Sequence, residues 1–180
     1  MRTPRLQTLF VSFVQAAIGF EWIKAGWEKI TDPAYLSSMT GTLGAFAAKD
    51  PFGWYKSFLT GVGIPNAHAF GVLAEWGELL VGLALMVAAA LYLIRLPAMI
   101  SGSVRSIALV SLVVAVFMSA NYWFAAGYLS VSTDGLNMLM ALIEIGLATV
   151  TGASVLAALR GRAVEPAAKV TDRAGHAAAA

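Results

Sequence analysis

The chain has 180 residues, 59% hydrophobic and only 12% charged. A soluble domain carries about twice that share of charge, so the composition points to a polytopic membrane protein. The net charge of +2 is small and its basic residues are dispersed over loops, which leaves no patch for nucleic acid. The absence of cysteine excludes disulfides, thiol catalysis, iron–sulfur ligation and covalent haem attachment within this chain. The two histidines, His68 and His176, lie outside the apolar runs, so paired-histidine haem ligation in the membrane is not expected. No intrinsic haem, iron–sulfur or metal centre is expected, and any redox chemistry would use a diffusible quinone or a partner's cofactor.

The first apolar segment follows a basic start, as in a signal peptide. No small-x-small cleavage pattern precedes the charged stretch, so it reads as a retained first helix, about 10–30. Its second half, "FEWIKAGWEKITDP", carries Glu21, Lys24, Glu28 and Lys29 with two tryptophans. Asp32 and Pro33 end it. The loop that follows, about 31–69, holds two apolar-periodic pieces broken by Pro51 and Pro65, each read as a short helix lying in the membrane interface. The Gly-Val-Gly-Ile-Pro run at 61–65 reads as a stop and turn.

Three further spans follow at about 70–93, 106–126 and 136–156, each near the 20 residues a bilayer requires. The expected fold is therefore an all-α membrane protein, a four transmembrane helix bundle with short interfacial helices in the first external loop. One membrane domain would cover 1–160. The Ala-rich segment 161–180 reads as a disordered cytoplasmic tail.

Lysines and arginines set the orientation. Arg2, Arg5, Arg95, Arg105, Arg160, Arg162, Lys169 and Arg173 fall on one side of a four-span topology; Lys24, Lys29, Lys49 and Lys56 fall on the other. Both termini should be cytoplasmic. Glu75, Glu78, Glu144 and the charges of the first helix then share the outer half of the membrane, with Asn121 and the tryptophans at a similar depth. Glu21, Lys24 and Glu28 are spaced i, i+3, i+7 and share one helix face. We expect that face to turn inward, with Lys24 opposite Glu75 or Glu78 and Lys29 toward the outer interface. Gly82 would let another helix approach below the carboxylates.

Ionisable groups inside a membrane are expensive and functional by default. Glu75, Glu78, Glu144 and Lys24 are thus candidate proton-handling groups. The plainer reading is an ion-pair network that fixes helix register. Tryptophans alone are more often an interfacial belt than a binding box.

Four stretches carry a family resemblance: "GFEWIKAGWEKITDP", "GWYKSFLTGVGIP", "AEWGELLVGLALMV" and "MSANYWFAAGYLS". In this order and spacing the chain resembles the DoxX/DoxD family of small bacterial membrane proteins over about 7–156, with the tail not covered. The resemblance implies a four-helix bundle in the bacterial plasma membrane. Some such proteins are similar to the small subunit of a thiosulfate:quinone oxidoreductase, and others associate with redox-stress or sulfur-linked complexes. No catalytic residue transfers from it.

Three functions compete. The first is a subunit of a quinone-linked oxidoreductase complex, with ubiquinone or menaquinone in a pocket of Glu21, Lys24, Trp27, Glu75, Trp76, Glu78 and Asn121. The second is a structural or assembly subunit of a membrane redox complex without its own ligand. The third is a small-solute or proton transporter, disfavoured by the absence of a repeat and of a charged path in the inner half. The expected partners are membrane lipid and other subunits of a redox complex.

Overall fold

The structure, a computed structural model, describes the backbone of residues 3–94 and 98–177 and the side chains of 6–94 and 102–160. Its helices are α1 (Thr3–Thr31), α2 (Tyr35–Lys49), α3 (Gly53–Phe58), α4 (Ala67–Leu93), α5 (Ala98–Ala126) and α6 (Val131–Ala177), and the described residues contain no strand. Among the described residues, four segments are long and apolar enough to cross a membrane: Leu6–Thr31, Gly53–Leu93, Gly102–Leu129 and Val131–Arg160. They contain the four windows expected from the sequence, and the chain is an all-α, four-helix, multi-pass membrane protein. The backbone of α6 is helical through Ala177, including the stretch from 161 whose composition reads as a tail; its many alanines have the highest helix propensity.

Consecutive long helices run antiparallel. The closest approach joins α1 to α4, and glycines make it. A Cβ on Gly82 would lie 2.6 Å from the Gly19 carbonyl oxygen and 2.6 Å from the Ile23 nitrogen. One on Gly26 would lie 2.6 Å from the Leu79 nitrogen. Lipid tails supply no hydrophobic drive between helices, so backbone-to-backbone packing of this kind is a main source of association in a bilayer. Every long helix contributes to the central core: Ile18 and Trp22 from α1, Val81 and Leu85 from α4, Leu112 and Ala115 from α5, and Leu147 from α6.

The loop between α1 and α4 is mostly helical, as expected. After α1, the turn is held by the Asp32 side chain accepting from the Ala34 N–H at 2.9 Å. Helix α2 then packs along the start of α4, with Leu36 and Met39 against Gly71 and Leu43 against Gly63. A second, smaller core gathers Ala47, Tyr55, Leu59 and Ala125 at this end of the bundle.

Residues 61–65 differ from expectation. The chain does not turn there: a π turn at Leu59–Gly63 and a 3₁₀ turn at Ile64–Asn66 carry helical backbone from α3 into α4. Pro65 has no N–H to donate, and a wider turn before it absorbs the missing bond. The Ile64 N–H reaches the Leu59 carbonyl, and the Asn66 side chain donates to the Val62 carbonyl at 2.9 Å.

Candidate functional site

Two carboxylates are wholly enclosed in the bundle: Glu78 on α4 and Glu144 on α6, both 0% exposed. One oxygen of Glu78 accepts from the Lys29 ammonium at 2.7 Å, and its other oxygen accepts from the Tyr122 hydroxyl at 2.5 Å. Glu144 accepts from the Trp22 indole N–H at 2.8 Å and from the Ser119 hydroxyl at 2.9 Å. The two groups touch, because the Trp22 and Tyr122 rings meet at 6.1 Å between centroids. The Lys29 ammonium lies 5.9 Å from the Tyr122 ring centre, within cation–π reach.

The arrangement follows a simple rule. Helices α1 and α5 supply the donors, and α4 and α6 supply the acceptors. Each donor helix bonds to both acceptor helices, so the four bonds form a closed ring, α1–α4–α5–α6–α1. One donor is charged and three are neutral: only the α1–α4 bond is an ion pair, and it is the single salt bridge among the described residues.

Local geometry explains which residues turn inward. Ser12, Gln15, Gly19, Trp22, Gly26 and Lys29 alternate by three and four along α1, the spacing of a packed helix seam. The glycines force this seam against α4, which carries Lys29 over Glu78. On α4 the same alternation places Gly71, Glu75, Glu78, Gly82, Leu85 and Ala89 inward, all of them buried. Gln15 is fully buried and donates to the Leu85 carbonyl at 2.9 Å, a second polar tie between α1 and α4.

The expected inner wall of Glu21, Lys24 and Glu28 is not found. All three are exposed, because they lie roughly opposite the glycine seam on α1. Lys24 does not face Glu75 or Glu78, and Lys29, expected at the interface, is the partner of Glu78. Trp27 and Trp76 also point away from the cluster, at 59% and 49% exposed. Asn121 belongs to another contact: its side chain donates to the Phe117 carbonyl, and it receives the Tyr55 hydroxyl from α3. Of the expected pocket, the structure therefore brings together Glu75 and Glu78, with Glu144 opposite them.

Glu75 is buried one turn before Glu78. Its carboxylate, with that of Glu78, acts on Tyr35 of α2. Burial first, then these two charges, raise the Tyr35 phenol above its ordinary value. The residues that the sequence reading left out of the site are Lys29, Trp22, Tyr122 and Ser119. An interfacial belt is the expectation for Trp22, yet it is 3% exposed.

No family model matches the chain, and no curated protein or solved structure matches it either.

Proposed function

We propose that this chain is a DoxX-like integral membrane subunit of a quinone-linked oxidoreductase complex, and that its polar ring holds the subunit's shape for assembly instead of binding the quinone. It would sit in a bacterial plasma membrane with both termini cytoplasmic. The oxidoreductase part rests on the resemblance of the four sequence stretches, and the orientation rests on the positive-inside pattern. The assembly part rests on one observation: all four oxygens of Glu78 and Glu144 already accept a side-chain hydrogen bond. A quinone carbonyl needs a donor, and the donors here face carboxylates. A buried polar network that is fully satisfied fixes rotation and register among helices.

One observation favours a second reading, in which the chain binds the quinone itself. The Lys29 side chain is 27% exposed, and its ammonium donates to Glu78 and to the Ala25 carbonyl, which leaves its third N–H for a headgroup arriving from lipid.

Titration separates the two. The chain, purified in mild detergent with whatever copurifies, is titrated with ubiquinone-1 and with a short-chain menaquinone while tryptophan fluorescence is followed. Assembly alone predicts copurifying subunits and no saturable quinone response of the isolated chain. It also predicts that Glu78→Gln lowers complex activity only in proportion to the amount of complex formed. A saturable response, abolished by Lys29→Met in protein whose helical circular dichroism is intact and restored by Lys29→Arg, would establish the second reading in its place.

A further inference from the structure

The second core, at the end of the bundle away from the Gln15–Leu85 tie, contains a feature that polar-ring assembly does not use. An open cavity of about 290 Å³ lies where the start of α3 meets the α5–α6 junction, walled by Pro51, Phe52, Trp123, Gly127, Tyr128 and Asp134. We propose that it is a binding site for a small alkylammonium cation, either a free quaternary ammonium compound or the headgroup of a choline lipid.

The walls fit that chemistry. Three of them are aromatic, and the π face of an aromatic ring attracts a cation, with tryptophan the strongest. Phe52 and Trp123 lie 5.8 Å apart between centroids and are tilted by 40°, so they form a wedge instead of a closed stack. The Trp123 ring is fixed from two sides. Its indole N–H donates to the Asp134 carboxylate at 2.6 Å. Its Cδ1 would lie 3.0 Å from a Cβ on Gly127, so the ring sits close against a residue without a side chain. Tyr128 is fixed as well, with its hydroxyl bonded to the Phe46 carbonyl.

The charge has the right sign. Asp134 places a carboxylate on the cavity wall. Asp50, next in sequence to the wall residue Pro51, is within electrostatic reach of the wall residue Tyr128. Asp50 is 8% exposed; one oxygen accepts from the Phe52 N–H at 2.7 Å, and the other is buried with no hydrogen-bond partner. Asp50 does not line the cavity, so it acts on an occupant through its field and not by contact. Lys49 and Lys56 lie nearby in sequence, but both are exposed and neither forms an ion pair among the described residues. A metal ion is a poorer occupant, since hydrocarbon rings supply it no ligand.

The test uses the full chain in detergent. Tetramethylammonium chloride is titrated against sodium chloride at equal ionic strength, with tryptophan fluorescence as readout. The expected result is a saturable change with tetramethylammonium only. Trp123→Leu should abolish it, Asp134→Asn should weaken it by about tenfold or more, and Trp76→Phe, remote from the cavity, should leave it intact. Circular dichroism checks the fold of each variant; if Trp123→Leu does not fold, Asp134→Asn carries the test. The source is resolved by native mass spectrometry from vesicles of equal phosphatidylcholine and phosphatidylglycerol. Retained phosphatidylcholine, lost in Asp134→Asn, identifies a lipid headgroup, whereas tetramethylammonium binding without lipid preference identifies a free ligand. A linear response to tetramethylammonium, or one unchanged in both cavity variants, would overturn the proposal.

Discussion

Glu78 and Glu144 are chemically identical, equally enclosed and each bonded to two side chains, yet their surroundings solve different problems. Glu78 faces an ammonium on a helix held within backbone contact by glycines. Glu144 faces an indole and a hydroxyl, both neutral. A buried ion pair is weak evidence for net stability, but removing one partner strands the other charge. A carboxyl among neutral donors strands nothing when it is replaced by an amide of the same shape. The two halves of one ring should therefore respond very differently to the same kind of substitution.

Substitutions at five positions measure that difference. The largest effect should come from Lys29→Met, which leaves Glu78 buried without its cation; we expect a loss of about 3–5 kcal/mol in unfolding titrations with SDS from mixed micelles. Adding Glu78→Gln should recover much of that loss, and a double variant as unstable as Lys29→Met alone would refute the charge argument. Next is Gly82→Val, whose added carbons meet the backbone of α1. It should cost at least about 1–3 kcal/mol and loosen the Lys29–Glu78 contact, read as faster hydrogen exchange of the α1 and α4 amides. Glu144→Gln should cost within about 1 kcal/mol, since its amide oxygen still accepts from Trp22 and the Ser119 hydroxyl turns to accept. An effect as large as that of Lys29→Met would erase the distinction between the two halves. The smallest is Lys24→Ala, which should change stability by less than about 0.5 kcal/mol in the same titration. A loss above 1 kcal/mol there would return Lys24 to the interior.

The four spans and the common level of Glu78 and Glu144 within the bundle were legible in the sequence, because apolar length and the spacing of the few ionisable residues report them directly. The rotation of α1 was not. Glu21, Lys24 and Glu28 make a stripe by charge, while Ser12, Gln15, Gly19, Trp22, Gly26 and Lys29 make a stripe by size. The charge stripe is the more conspicuous pattern, but close packing sets the rotation. Glycines at 19 and 26, two turns apart on the first helix, were the available signal. Asn121 was misplaced for a different reason: its partner, Tyr55, comes from α3, and nothing local to either residue specifies that meeting. The 61–65 segment misled because glycine and proline signal a turn in water-facing loops, whereas Leu59–Asn66 keeps its helical path by widening one turn and tightening the next.

That joint acts as a phase shifter. A π turn holds one residue more than the α turn it replaces, and each residue of an α-helix advances the chain by about 100°. The face that α3 presents is thus dialled against the face of α4 by a single residue. Deleting Gly61 would let Leu59–Gly63 close into ordinary α-helix and swing α3 by about that angle, withdrawing Tyr55 from Asn121 and Phe52 from Trp123 while the Glu78–Glu144 ring below kept its place. The facing of α3 is therefore set against α4 by one extra residue, and chain length at that joint is as much a part of the specification as side-chain chemistry.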